Sequence, residues 1–393
     1  MVARWVGFGL ALVVSVAVGL IAVRGGMKSG APQEIEGYAS WDPAVVEIAD
    51  RVPVQSGGRV KPLKTRAGFL MLQLHGARSM KIVSRGEEGA EKLRIGPTEW
   101  LLDLLFRPDL AMQLPTFRID NSDVLKTIGI EAKGRRDRYS YQELSAGFDR
   151  LDAWAQKVQR RSQGNPDFKM DREEQELSSL WQNLKAFQGM LGTLEFARGG
   201  VMEEALADDV DEEAAASELN TASYWIGVMP DLRQRLAHSA AHGEEKVPDG
   251  ILYAIRRVEQ LLYRAYGGLE WLPPYSPEGE TWMSLGRRAG ELIQDPDPAH
   301  WQLLTRDARN MEELVEAYRS GPDAFATRLE AWRADLAARA AERGEGRMVD
   351  SEVTYYERNY FLNALVFFLL GFLLAALGWL SPHTRWGKVC LLY

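Results

Sequence analysis

Hydrophobic and polar positions divide the chain into two uncharged apolar runs with a long amphipathic stretch between them. Trp5 to Val23 is 19 residues without a charge, and Phe361 to Leu380 is 20 residues in which only Asn363 is polar. Each is long enough to cross a bilayer as a helix. Between them, Leu144, Phe148, Leu151, Trp154 and Val158 follow helical spacing and predict one amphipathic helix. Leu177, Leu180, Trp181, Leu184, Phe187, Leu191 and Leu194 predict a second, and the two stripes suggest an antiparallel pair. Ile251 to Leu262 predicts a third helix, Met311 to Tyr318 a fourth and Phe325 to Leu336 a fifth.

The alternating pattern is confined to the first third. Val52, Val54, Val60 and Leu63 flank Ser56-Gly57-Gly58, a tight-turn signature, and predict a short hairpin. Pro62 restricts its second strand to an edge or an early end. Lys81 to Arg94 reads as a hairpin or loop, and Phe117-Arg118-Ile119-Asp120 as a strand. Helix starts are marked by Asp42-Pro43, Gly96-Pro97, Asn121 or Ser122, and Ser140-Tyr141-Gln142-Glu143, which has capping-box form. Thr65 is expected to N-cap a helix over Arg66 to His75, closed by Gly76. Asn165-Pro166 should break the first long helix. Trp282 to Ile293 and Trp301 to Leu304 read as two short pieces around Pro296 and Pro298.

The expected fold class is therefore mainly α: two transmembrane helices flanking a large helical exported domain, with a small β-hairpin near its start. The organisation predicted is an anchor over 1–24, a linker over 25–40, an α+β subdomain over 41–140 and a helical subdomain over 141–350. A second membrane helix over 351–381 follows, and 382–393 forms a cytoplasmic tail or the start of a further membrane segment. An uncleaved first anchor fits the long apolar run; a cleaved signal peptide is the alternative. Arg385 and Lys388 lie past the second run, so the positive-inside bias puts the C-terminus in the cytoplasm and the large domain outside the inner membrane.

Composition narrows the chemistry. The formal net charge is −8, which argues against nucleic acid as a partner. Cys390 is the single cysteine, so intramolecular disulfides, CxxCH haem attachment and cysteine zinc sites are excluded. No Walker A, HExxH, GxSxG or GxGxxG pattern occurs. His238 and His242 share a helical face at a spacing of four, which fits a solvated helix end better than a metal site. His75 sits at a helix end, where a cation would offset the dipole. His300 reads as structural beside Trp301. His383, just beyond the second apolar run, is a candidate axial haem ligand or an interface-packing residue. The acidic run within Glu203–Glu218 lacks Ca²⁺-loop spacing.

The densest set of unusual choices is Val52 to Thr65, VPVQSGGRVKPLKT. From Arg51 to Arg66 there are five basic residues and no acid. Arg59 and Lys61 share one strand face, either a solvated edge or an anion site for headgroups or haem propionates. Glu357 and Asn359, in Tyr-Tyr-Glu-Arg-Asn-Tyr before the second apolar run, set helix depth or dock the span to the soluble domain.

Residues 53–65, PVQSGGRVKPLKT, resemble the "PVQ-GR-KPL-T" segment of the system II cytochrome c biogenesis family, especially its fused bacterial form. GPTEWLLDLLFRPD at 96–109, FRIDN at 117–121 and RYSYQEL at 138–144 agree in order, and the Tyr356–Phe361 segment is similar to the family's lead into a membrane helix. The likeness singles out Gln55, Gly58, Arg59, Lys61, Pro62, Thr65, Glu357 and Asn359. It implies a haem-delivery function, with apocytochrome c, other maturation subunits and membrane lipid as partners. The family's Trp-rich haem-binding loop and its histidines belong to a core that would follow Tyr393, so no haem ligand is carried over. Lys64 stands where the family commonly has Asp. The implied chain is a non-catalytic leading domain, truncated or one half of a split system. An envelope scaffold unrelated to haem is the alternative; a hydrolase finds no motif to support it.

Overall fold

The computed structural model describes residues 9–10, 12–14, 17, 32–86, 89–133, 137–163, 165, 168–201, 220–242, 249–358 and 360–380. His383, Asn359 and the acidic run within 203–218 lie outside them, as do most residues of the first apolar run; those described there are helical. The chain forms two units. Gln33–Asp350 is one, and the other comprises Met1–Pro32 with Ser351–Tyr393. The described residues are mainly helical with three small sheets.

The first sheet starts inside the stretch expected to be linker. Strand β1 (Gln33–Glu36) runs parallel to β4 (Met80–Gly86), with Ile35 opposite Ser84, and β5 (Gly89–Ile95) pairs antiparallel on the other side of β4. Ile35, Ile82 and Ile95 are buried, which anchors the sheet to the core. Helix α1 (Pro43–Asp50) begins as expected, Asp42 accepting from the N–H of Ala44 with Pro43 in the first turn.

The predicted hairpin is β2 (Pro53–Ser56) with β3 (Arg59–Pro62). Gly57 and Gly58 have φ of 60° and 79°, and two successive positive φ values suit glycine and match the strand twist. The next helix corrects the cap assignment. Helix α2 (Leu63–His75) starts at Leu63, with Pro62 in the N-cap position, and Thr65 lies buried inside the first turn. Pro62 has φ −66° and ψ 147°, so the strand conformation runs directly into the helix and leaves no cap position for Thr65.

Helix α3 (Pro97–Phe106) packs on α2, and Pro108 opens a short α4 (Pro108–Ala111). Strand β6 (Phe117–Ile119) pairs with β7 (Asp137–Tyr139) around α5 (Ser122–Ile128), which Asn121 caps. Ser140 and Glu143 form the expected capping box on α6 (Tyr141–Leu144). The stripe from Leu144 to Val158 is not one helix. A 3-10 turn at Ser145–Gly147 separates α6 from α7 (Phe148–Ser162). The Ser145 hydroxyl donates back to the Gln142 carbonyl at 2.7 Å, a local bond that competes with helix continuation.

Helix α8 (Arg172–Gly192) carries the second stripe and packs against α7. After α9 (Glu195–Arg198) come α10 (Ala222–His242), with Pro230 inside it, and α11 (Asp249–Arg264), which continues into a 3-10 turn at Ala265–Gly267. Helix α12 is Leu285–Gln294. Trp301 to Leu304 is no separate piece: α13 (Pro298–Ser320) runs unbroken through it and Met311–Tyr318, because Pro298 occupies the first turn, where no N–H is needed. Helix α14 (Pro322–Glu342) follows after Gly321.

Helix α15 (Val349–Glu357) starts at the last two residues of the Gln33–Asp350 unit, and α16 (Tyr360–Leu380) belongs to the other. No single described helix passes as long and apolar enough to cross a membrane. Val349–Glu357 and Tyr360–Ala376 pass only together, across a 44° bend.

Candidate functional site

Gln55 is the residue of the hairpin whose chemistry is most fully used. Its Nε2 donates to the Glu280 carbonyl at 2.9 Å, its Oε1 accepts from the Trp282 N–H at 2.9 Å, and its own N–H donates to the Glu270 carbonyl at 2.8 Å. A side chain with a donor and an acceptor at this reach matches both groups; Glu lacks the donor. The hairpin is thereby seated in a socket made by residues 270–282. Val60 completes the seat in a small apolar cluster with Trp282, Ala340 and Val349. The Trp282 indole N–H donates to Glu345 at 2.7 Å.

The other motif residues divide between the hairpin surface and its base. Gly58 and Arg59 are exposed at the turn, and Lys61 is half-buried two residues on, on the same face as Arg59. Pro62 closes the strand. The Thr65 hydroxyl is buried and without a hydrogen-bond partner among the described residues. Lys64, the departure from the family pattern, pairs with buried Asp50 at 2.6 Å, and Asp50 also accepts from the Thr98 hydroxyl at 2.5 Å. Arg51 of this region lies 3.7 Å from Asp350. Glu357 is the exposed last residue of α15, apart from the hairpin in sequence and belonging to the other unit.

A second polar centre was not legible in the sequence. Asp103 of α3 is fully buried, accepting from the Tyr38 hydroxyl at 2.9 Å and the Trp41 indole N–H at 2.8 Å. Burial pushes its carboxyl up to about 7, against the opposing pull of Trp41, Arg107 and Tyr38. The same burial, with the adjacent Asp103 charge, raises Tyr38. Arg107 lies with its guanidinium 3.9 Å from the Trp41 ring centre, donates to the Ala39 carbonyl at 2.7 Å and reaches the Tyr318 hydroxyl at 3.0 Å. One carboxylate and one arginine therefore strap residues 38–41 to α3 and α13.

A third centre joins α13 to α14. Buried Asp307 accepts two bonds from Arg339, at 2.9 and 3.1 Å, and one from the Tyr275 hydroxyl at 2.8 Å. Arg288 stacks on the Tyr275 ring at 4.7 Å. Charge and hydrogen bonding are matched here, as a buried ion pair requires.

The histidines are placed differently from their helix-end reading. His75 is buried, and its Nδ1 donates to the Pro115 carbonyl at 2.9 Å. Burial, then the Arg138 charge, lowers it to about 4, so it is neutral at pH 7; the cation at the C-terminal end of α2 is instead Arg138, which donates to the His75 carbonyl at 3.3 Å. His300 sits in the first turn of α13, 3.5 Å from Asp297 and against the Tyr275 ring. His238 is exposed on α10, and His242 is that helix's last residue. Among the described residues, no three His, Cys, Asp or Glu side chains group to hold a metal ion.

Among the clefts that the described residues of the Gln33–Asp350 unit form, two are prominent. The larger, about 980 Å³, lies between α8, α10, α11 and α12. Tyr263 and Tyr266 on its wall are 80% and 54% exposed, and the ion pairs Arg264–Glu195 and Arg233–Glu259 line it. It owes its shape to close backbone approach: a Cβ on Gly189 would lie 2.3 Å from the Gly267 carbonyl oxygen. The smaller, about 400 Å³, lies beside Gly76, Arg118 and Asn183. Neither of these two clefts is lined by a histidine. No protein-family model matches the chain, and no curated protein matches it.

Proposed function

We propose that the chain is a membrane-tethered, non-catalytic component of c-type cytochrome maturation, whose body positions apocytochrome or the partner subunit that carries the haem core. The observation that carries this reading is the convergence of the segments resembling the system II family. Helix α2, from the end of 53–65, packs on α3, from 96–109, and on β6, from 117–121. Phe117 pairs with Tyr139 of 138–144, and the Trp100 indole donates to Thr116 at 3.2 Å. The four segments thus belong to one packed body. The apolar helix α16 exposes Phe361, Phe367 and Phe368, which supports contact with lipid; the body outside the inner membrane and the C-terminus in the cytoplasm are proposed from Arg385 and Lys388 in the sequence. Haem belongs to the reading through the partner rather than through this chain's described histidines.

Deleting the gene in its native host and measuring covalently bound haem in c-type cytochromes tests the proposal. A loss of these cytochromes is expected, and Arg59→Ala with Lys61→Ala should lower their yield while the body stays folded. Normal cytochromes in the deletion strain sink the reading. The larger cleft, with its exposed Tyr263 and Tyr266, supports a second reading as an envelope scaffold unrelated to haem. Normal cytochromes together with co-purification of a non-cytochrome envelope protein would select it.

A further inference from the structure

The hairpin socket is closed by the joint that follows α14. Gly344 and Gly346 have φ of 72° and 74°, a conformation that glycine adopts without strain. Gly344 ends α14 in a Schellman arrangement: its N–H donates to the Ala341 carbonyl, and the Glu345 N–H donates to the Ala340 carbonyl, each at 2.9 Å. Between the two glycines the Glu345 side chain turns inward and accepts from the Trp282 indole at 2.7 Å. Trp282 is fully buried, and its backbone N–H is held by Gln55. A continuous chain of hydrogen bonds thus runs from Gln55 through Trp282 to Glu345.

Three features make this joint separable from the body. Its apolar contact is a satellite cluster of Val60, Trp282, Ala340 and Val349, distinct from the main core. Arg343, on the α14 side, faces Glu345 at 3.4 Å but also donates to the carbonyls of Ser276 and Gly279, and those two bonds hold that side if the joint moves. Arg347 and Met348, beyond the second glycine, are exposed. Segments with few buried apolar contacts occupy the low-stability end of a fold and open locally.

We propose that Gly344–Met348, the segment ahead of α15, is a latch, held shut by Glu345 on Trp282, that swings about its glycines and uncovers the hairpin socket while the helical body remains folded. This goes beyond the assembly reading and does not depend on it. Opening would expose Val60 and the Trp282 indole together.

Limited trypsin digestion of the full chain in detergent micelles, with fragments followed by mass spectrometry, tests the latch. When opening is fast relative to cleavage, the cleavage rate reports the open population. Glu345→Ala removes the acceptor of the indole N–H and should speed cleavage after Arg347 by about tenfold, the scale set by one charge-assisted hydrogen bond. Glu345→Gln keeps an acceptor oxygen and should stay within about threefold of wild type. Cleavage after Lys157 and Arg172, remote in the fold, should not change in either variant. Wild-type cleavage after Arg347 in Glu345→Ala overturns the proposal. So does equal acceleration at all three sites, which would report global unfolding.

Discussion

Asp103→Asn should remove part of the pH dependence of stability. Asp103 is a fully buried carboxyl whose two oxygens accept from Tyr38 and Trp41, with the Arg107 guanidinium 3.6 Å away. Burial raises its folded value to about 7, from an ordinary 3.8. Between those limits the folded chain holds a proton that the unfolded chain has released. Stability from this group is therefore fully present below the unfolded value and is lost as pH rises through about 7. Each unit of pH in that window costs about 1.4 kcal/mol, so between pH 5 and pH 8 the wild type loses about 2.7 kcal/mol relative to the asparagine variant. The assay is denaturant unfolding of both full chains in detergent, followed by tryptophan fluorescence at several pH values. Taking the difference cancels the groups the two proteins share. A difference that does not change with pH, or one that favours the wild type more at pH 8, refutes the reasoning. Tyr38→Phe removes a hydrogen bond that stabilises the carboxylate and should move the window to higher pH.

Two further substitutions probe the body. His75 titrates with the opposite sign. Its folded value is lowered to about 4, so the stability it confers falls as pH drops from 6.5 towards 4, by at most about 3 kcal/mol, and His75→Phe should flatten acid unfolding in that range. Arg339→Ala leaves Asp307 buried without its bidentate partner and should cost about 3–5 kcal/mol in a denaturant melt, whereas adding Asp307→Asn should recover part of that loss.

Much of the architecture could be read from spacing. The Gly57-Gly58 turn, the Asp42, Asn121 and Ser140 caps and the long apolar stripes each reflect local physics, and each has its counterpart in the fold. The errors arose where two local rules competed. Thr65 is a good cap residue, but Pro62 already carried the chain into a helix; the Leu144–Val158 stripe kept its period across a turn that broke the backbone ladder. The polar centres were hidden for a different reason. Asp103 lies in the apolar run Trp100–Phe106, and only the fold brings Tyr38 and Trp41 to it across more than 60 residues. The spacing of four to Arg107 was the one local signal. Gln55 stood out as part of a motif, but its partners at Glu280 and Trp282 have no counterpart in the hairpin's own sequence.

The Gln55 socket also orders events in time. Its hydrogen bonds join positions 225 and 227 residues apart, so the hairpin leaves the ribosome long before Glu280 and Trp282 exist to receive it. Val60 remains uncovered through that interval, and closing so large a loop is slow compared with forming the hairpin itself. The socket is thus a late checkpoint of synthesis. A chain that stops short of Trp282 carries a formed hairpin with no seat, and its exposed strand is a ready substrate for proteolysis or strand pairing with another molecule.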